Sequence, residues 1–160
     1  MKRKLFTIGY TGVGIEEFIE KLVRNDIECL IDVRELPISR KAGFAKTALT
    51  QHLSEVGINY RHFKPLGSPK ALRHKVREDR KYPVFFKGVH RHLNQESGIE
   101  AMEQTIEIAR SLRSCLMCCC PDWEHCHRKC LVEVIEESTT MTFDHLAFGD
   151  QQQTLWSKAA

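Results

Sequence analysis

The sequence predicts a single Rossmann-like α/β domain, a three-layer architecture with a mainly parallel sheet of about five strands. Short β-type segments alternate along the chain with segments of helical periodicity, which is the order typical of a parallel sheet. The chain has 160 residues, of which 42% are hydrophobic, enough for one core but too few for two full domains. We assign residues 1–148 to the domain and residues 149–160 to a polar C-terminal tail.

The first half of the chain shows three strand patterns separated by two helix patterns. The first strand ends in a Gly-rich turn, and the helix after it repeats apolar residues at intervals of three and four. The second strand is apolar along most of its length, and Pro37 prevents its continuation. Gly57 is suited to the position just after the second helix. The strands cover residues 5–9, 29–33 and 58–63, and the helices cover residues 15–23 and 46–56.

The second half is less regular. Residues 68–79 are compatible with a basic helix that begins at Pro69, whereas residues 82–89 give no clear pattern. A helix over residues 98–112 is expected to bury Ile99 and Met102. The remaining elements are a cysteine-rich fourth strand at residues 115–120, a helix at residues 127–137 and a last strand at residues 141–148.

Charge is distributed unevenly along the chain. The net charge is only +3, but residues 61–92 carry ten basic and two acidic side chains, and residues 93–160 carry five basic and eleven acidic ones. The basic segment suits an anionic partner such as a nucleic acid, with its interleaved aromatics available to stack on bases. The alternative is a solvated helix face whose aromatics belong to the core.

The cysteines are clustered rather than spread along the chain. Six of the seven lie between Cys115 and Cys130, which does not fit a disulfide-stapled secreted domain. The N-terminus lacks a signal peptide, and no apolar run reaches the length of a membrane span. We therefore expect a cytoplasmic protein, without membrane contact, whose cysteines are thiols, metal ligands or catalytic groups. The oligomeric state is not readable from the sequence.

Polar residues at the ends of the predicted parallel strands indicate a functional site, because ligands of such sheets bind beyond the carboxyl ends of the strands. In this interpretation Arg34 and Arg128 hold an anion, with Tyr10 and Thr11 as further ligand-binding residues. Asp32 orients Arg34 or takes part in acid–base chemistry.

The loop before the helix at residues 127–137 contributes the reactive groups of this site. A helix N-terminus lowers the pKa of a nearby thiol, so Cys126 is a candidate nucleophile, and His127 is a candidate proton carrier. The plainer alternative is that Cys126 only caps the helix, while Arg128 pairs with Asp32 or with Glu124.

A zinc site is the alternative to a site without metal or cofactor. Cys120, His125 and Cys126 are candidate ligands of tetrahedral zinc. Cys115 and Cys118 do not form a ligand pair, because residues three apart in a strand point to opposite faces. Cys115 and Cys130 are better explained as small buried hydrophobes.

An ordered set of short motifs resembles the microbial family known as "domain of unknown function 488". The motifs are Thr7-Ile-Gly-Tyr-Thr11, Asp32-Val-Arg34 followed by Pro37 and Ser39-Arg40, Gly57-Ile-Asn-Tyr60 leading to Leu66-Gly67, and Cys118 followed by Cys126-His127-Arg128. The resemblance implies one α/β domain with these motifs at the strand ends, and it adds Arg40 to the expected ligand-binding residues. It brings no established reaction.

The chain departs from that family at two positions. Cys120 stands where the family usually has the acidic residue of a Cys-x-Glu motif, and Tyr10 stands where it usually has a histidine. If the family's glutamate does acid–base work, this chain either lacks that role or performs it with Glu124 or Asp122.

Three functional hypotheses follow from these residues. The first is an enzyme whose strand-end Asp/Arg/Cys/His site binds an anionic small molecule, such as a nucleotide, or a nucleic acid. The second is a non-catalytic nucleic-acid-binding module that uses residues 61–92. The third is a zinc- or thiol-based sensor built on the Cys/His cluster of residues 115–130.

Overall fold

A computed structural model describes residues 2–149. The strands are β1 (Lys4–Gly9), β2 (Cys29–Asp32), β3 (Asn59–His62), β4 (Ser114–Cys118) and β5 (Thr142–Leu146). The helices are α1 (Ile15–Arg24), α2 (Lys46–Glu55), α3 (Lys70–Asp79), α4 (Tyr82–Leu93), α5 (Glu96–Ser111) and α6 (Arg128–Ser138). Short 3₁₀ turns occupy Lys64–Leu66 and Trp123–His125. Residues 150–160 of the predicted tail lie outside the described residues.

The five strands form one parallel sheet in the order β3-β2-β4-β1-β5. Because every strand runs the same way, all five carboxyl ends lie at one edge of the sheet. The order also makes β4 and β1 neighbours at the centre, so the loops that follow them meet. The predicted Rossmann-like α/β class is confirmed.

Two apolar cores, one on each face of the sheet, hold the three layers together. The core on one face contains residues of α1 and α2, and the core on the other contains residues of α3 to α6. Strand β4 serves both cores, because its side chains alternate between the faces. Cys115 and Met117 pack with α1 and α2, whereas Leu116 and Cys118 face the other core.

The sequence patterns placed most elements correctly, with three differences. Residues 82–89, which gave no clear pattern, lie in α4, which buries Phe85 and Val89. Pro69 lies just before the first residue of α3 instead of within it. Ile99 is 48% exposed, although Met102 on the same helix is buried as expected. Among the helices of residues 2–149, none combines the length and hydropathy that a membrane span requires.

Candidate functional site

The segment after β4 folds back across the carboxyl ends of β1 and β2. Gly9 at the end of β1 allows this approach, since a Cβ atom built on it would lie 1.9 Å from the carbonyl oxygen of Cys120. The backbone N–H and the hydroxyl of Thr11 both donate to the carbonyl oxygen of Cys119, at 3.0 and 2.6 Å. The cysteine-rich segment is therefore fixed through its backbone.

His127 lies at the centre of the buried part of this site and is only 4% exposed. Its Nε2 atom is 2.7 Å from the carbonyl oxygen of Val33. A carbonyl oxygen can only accept a hydrogen bond, so Nε2 carries the proton. Nδ1 then faces two sulfur atoms, at 3.8 Å from Cys118 Sγ and 3.6 Å from Cys126 Sγ.

Arg128 is a buried cation beside these sulfurs, with 1% of its surface exposed. Its guanidinium donates to the sulfur of Cys126 at 3.4 Å, to the hydroxyl of Thr7 at 3.4 Å and to the carbonyl oxygen of Cys120. Within residues 2–149 it forms no ion pair with a carboxylate. The expected alternative pairing with Asp32 or Glu124 is absent among these described contacts. A buried cation requires an opposite charge, and a thiolate sulfur is the group in position to supply it.

The electrostatics of the cluster favour thiolates at Cys118 and Cys126, whereas contacts with Cys118, Cys119 and Cys126 raise the pKa of Cys120. Burial and contact with Cys118 raise the pKa of Cys126, and contact with Cys120 and the charge of Arg128 are among the influences that lower it; the net direction is down. Burial lowers the pKa of His127, but the charges of Cys118 and Cys126 reverse this and hold that pKa well above its ordinary value.

Asp32 and Arg34 form a separate, internally satisfied pair. The two side chains are almost fully buried, and the guanidinium donates to both carboxylate oxygens, at 2.9 and 2.7 Å. It also donates to the hydroxyl of Tyr10 at 3.1 Å and to the carbonyl oxygen of Phe44 at 2.8 Å. These contacts use four of the five guanidinium N–H groups. The hydroxyl of Tyr60 donates to Asp32 at 2.6 Å.

The remaining residues expected to bind a ligand are spread around the edge of the sheet. Tyr10 is buried, with its ring stacked on Phe44 at a centroid distance of 4.3 Å. Thr11 is exposed and bonded to the backbone of Cys119. Arg40 is exposed on the loop between β2 and α2.

The two buried arginines have different surroundings. A carboxylate neutralises Arg34, whereas sulfur atoms surround Arg128.

Three groups of side chains among residues 2–149 are close enough to hold a metal ion, with ligand atoms within 4.8 Å of one another. They are Cys118 with Cys126 and His127, Cys118 with Cys119 and Cys120, and His90 with Cys130 and Glu133. Two of the expected zinc ligands belong to different groups: Cys126 to the first and Cys120 to the second. His125, the third, is half exposed, bonds Asp122 at 2.7 Å and belongs to none of these groups.

Sequence reasoning missed two contributors to the site. Cys118 was treated as a residue of the strand, yet it is the last residue of β4 and lies where the strand-end argument places chemistry. The carbonyl group of Val33 carries no sequence signal, since any residue type would supply it. The available clue was the position of Val33, one residue beyond the end of β2.

A buried polar chain links the site to β5. The hydroxyl of Thr7 accepts from Arg128 and lies within hydrogen-bonding distance, 2.6 Å, of Nδ1 of His145. The ring of His145 stacks on Trp123 at a centroid distance of 3.7 Å. Burial, and then the charge of Arg128, lower the pKa of His145 to about 4.

The comparisons with known proteins give one match. No curated protein and no solved structure matches the chain. The family described as "Domain of unknown function DUF488" matches residues 14–135, well over half of the chain. That range contains the carboxyl end of β4, the Cys126-His127-Arg128 motif and the Asp32–Arg34 pair. The chain belongs to the DUF488 family.

Proposed function

We propose that this protein is a zinc-binding protein in which Cys118, Cys126 and His127 hold the ion at the carboxyl edge of the sheet. The observation that carries the proposal is the position of His127 Nδ1, 3.8 and 3.6 Å from the two sulfur atoms. In tetrahedral zinc sites the Zn–S and Zn–N distances are about 2.3 and 2.0–2.1 Å. These lengths imply N···S separations of about 3.6 Å at the tetrahedral angle. Both N···S distances thus match the edges of such a site.

The hydrogen bonding of His127 supports a role as a ligand. A histidine that binds a metal usually donates its other ring N–H to a carbonyl or carboxylate, which fixes the tautomer and the ring orientation. The Nε2–H group of His127 donates to the carbonyl oxygen of Val33. Nδ1 is therefore the ring nitrogen that faces the sulfurs, and zinc would bind there in place of a proton.

Cys120 is our choice for the fourth ligand. The sulfur atoms of Cys118 and Cys120 lie within 4.8 Å of each other, and that of Cys119 lies within the same distance of both. Cys120 packs only against the core that contains Cys118 and Cys126, whereas Cys119 borders both cores. The sulfur of Cys120 also influences the pKa of both Cys118 and Cys126 through direct contacts.

Charge balance favours the same assignment. Three thiolates and one divalent cation carry a net charge of −1, and Arg128 supplies the buried +1 that balances it. The guanidinium already donates to Cys126 Sγ and to the carbonyl oxygen of Cys120. Without an anionic cluster beside it, a buried guanidinium that pairs with no carboxylate would lower the stability of the fold.

The burial of three of the four ligands indicates a closed site, and the fourth, Cys120, is partly buried. Cys118 is 5%, Cys126 1% and His127 4% exposed. Zinc held by four protein ligands stabilises the fold or senses metal and oxidants, whereas catalytic zinc keeps an open position for water. We assign the centre to the closed class, and we place the protein in the cytoplasm, where a reducing environment keeps such ligands as thiolates.

The enzyme hypothesis remains the second candidate because of one contact. The 3.6 Å separation of Cys126 Sγ and His127 Nδ1 is the kind of thiol–imidazole pair that activates a nucleophile. In that hypothesis Arg128 attracts an anionic substrate. Arg34 is less suited to this task, since its donors are occupied by Asp32, Tyr10 and Phe44.

Metal analysis separates the two candidates. We expect protein purified in reducing, chelator-free buffer to contain one zinc per chain. Cys126→Ser should lose the metal, whereas Cys130→Ser, a buried cysteine outside the Cys118–Cys126–His127 group, should retain it. Absence of zinc from the wild-type protein, or full retention by Cys126→Ser, would overturn the proposal.

A second readout does not depend on the folding of a variant. Metal-depleted wild-type protein is titrated with zinc and then alkylated, and the modified thiols are mapped by mass spectrometry. We expect zinc to protect Cys118, Cys120 and Cys126 more than Cys119. Equal modification of all four thiols with and without zinc would contradict the ligand set.

A further inference from the structure

A basic face covers the hairpin that α3 and α4 form, and we propose that it binds the phosphate backbone of a nucleic acid. This inference goes beyond the zinc centre, because the two sites share no residue. Residues 70–93 carry eight Lys and Arg side chains but only Glu78 and Asp79 as acids. We call this segment the basic hairpin.

The cations of the basic hairpin are exposed and almost all lack a carboxylate partner. Arg73 pairs with Glu35. The other seven are exposed and form no ion pair with the rest of residues 2–149. They are Lys70, Lys75, Arg77, Arg80, Lys81, Lys87 and Arg91. Unneutralised charge at this density is the electrostatic footprint expected of a nucleic-acid-binding surface.

The packing of the two helices holds these charges together in one hairpin. Gly88 of α4 lies against Leu72 of α3, where a Cβ atom would come within 2.8 Å of the leucine side chain. Lys70 and Arg77 are seven residues apart on α3, and Lys87 and Arg91 are four apart on α4, so each pair shares a helix face. At 1.5 Å per residue, ten-residue α3 is about 15 Å long. That length spans about four base-pair steps of 3.4 Å.

The aromatic residues of the hairpin are not available to bases. Tyr82, Phe85 and Phe86 pack on one another with ring centroids 5.6 to 6.5 Å apart. Phe85 is buried and the other two are half-buried against the core. Recognition is therefore limited to phosphates, which predicts binding with little sequence preference.

A second copy of this chain is the competing partner, because α5 carries an exposed row of Glu96, Glu100, Glu103 and Glu107. Such a row offers four carboxylates to seven cations. It would leave part of the basic hairpin unneutralised, whereas a nucleic acid supplies phosphates along the whole face. The charge count therefore favours nucleic acid.

The test is fluorescence anisotropy with a labelled 20-base-pair DNA duplex at several salt concentrations. Four neutralised phosphates give a slope of log K against log salt of about −3.6. Binding should then weaken about 100-fold between 50 and 200 mM salt. Lys87→Gln and Arg77→Gln should each reduce the slope by about 1. Lys46→Gln on α2, an exposed site on the opposite face of the sheet, should leave it unchanged.

Three results would overturn the inference. One is a slope shallower than −1, and another is an equal effect of Lys87→Gln and Lys46→Gln on binding. The third is salt-sensitive self-association, seen by analytical ultracentrifugation, that Glu103→Gln abolishes while no duplex is bound. The zinc content of these variants is measured in parallel and should remain at the wild-type value, so a failure here is distinct from a failure of the metal centre.

Discussion

The Nε2 atom of His127 lies 2.7 Å from the carbonyl oxygen of Val33. This hydrogen bond connects the start of α6 to the end of β2, two segments 94 residues apart. It also determines which ring nitrogen faces the sulfurs, because the carbonyl group can only accept. The zinc centre that we propose depends on this orientation, and the predictions below test the groups that support it.

Arg128→Lys should weaken zinc binding while leaving the stoichiometry at one. Lysine keeps the charge but lacks the planar guanidinium, whose separate N–H groups contact Cys126, Thr7 and Cys120 at the same time. Loss of a group that supports metal ligands typically lowers affinity by about 10–100-fold. Chelator competition measures the change. Arg113→Lys, whose guanidinium donates to the carbonyl oxygen of Asn25, is the control, and equal affinities for both variants would refute the role of Arg128.

Gly9→Ser should destabilise the protein and loosen the cysteine-rich segment. The added Cβ would lie 1.9 Å from the carbonyl oxygen of Cys120, and forced backbone shifts cost about 1–3 kcal/mol. The same change at Gly14 meets nothing within 4 Å and supplies a favoured cap for α1. Urea unfolding compares the two variants, and we expect a loss only for Gly9→Ser. A wild-type midpoint for Gly9→Ser would show that this close approach is absent.

Asp32→Asn should cost about 3–5 kcal/mol of unfolding free energy, because it leaves the charge of Arg34 buried and uncompensated. Glu20→Gln removes an exposed partner of Arg24, and such pairs contribute about 0–1 kcal/mol. Chemical denaturation of both variants measures the difference. If Asp32→Asn lost no more than Glu20→Gln, Arg34 would have to be accessible to water or to a ligand.

Stability should decrease as the pH falls from about 6.5 to about 4, in part because of His145. Burial lowers its pKa to about 4 in the folded protein, against an ordinary value of about 6.5 in the unfolded chain. Between these values the unfolded state binds more protons, so acid favours unfolding. Thr7, Trp123, Arg128 and Asp144 surround the ring, and of their charges Arg128 lowers this pKa and Asp144 raises it.

The matched variants for that prediction are His145→Asn and His74→Asn. Asparagine at position 145 can still form a hydrogen bond with Thr7 but does not titrate. The unfolding midpoint of His145→Asn should therefore fall less than that of the wild type as the pH is lowered. His74 is exposed on α3, and its replacement should preserve the wild-type profile. Identical profiles for all three proteins would remove His145 from the acid response.

The fold could be predicted from the sequence because local patterns carry most of its information. Periodicity identified α1 and α2, and the apolar runs identified β1, β2 and β4. Helix α4 was missed because Lys87 and two histidines obscure the spacing of Phe85, Val89 and Leu93, which all face the core. Ile99 was expected inside on periodicity alone, which does not reveal how much of a helix face its neighbours cover.

The candidate site was predictable only in outline. The strand-end argument brought Cys126, His127 and Arg128 together with the end of β2. It allowed for a pairing of Asp32 with Arg34, but it did not reveal that Asp32, Tyr10 and Phe44 together occupy most donors of Arg34, because sequence adjacency does not fix a side-chain rotamer. Cys120 and His125 were expected as metal ligands, whereas the atoms closest to tetrahedral spacing belong to Cys118, Cys126 and His127. That difference depends on the path of the loop from Cys119 to His125.

Anomalous diffraction at the zinc absorption edge, from crystals of the protein as purified, tests the central claim most directly. The account predicts a single peak about 2.3 Å from the sulfurs of Cys118 and Cys126 and about 2.0–2.1 Å from Nδ1 of His127. A map without a peak at these three residues, or one in which Cys118 and Cys126 form a disulfide, would contradict it.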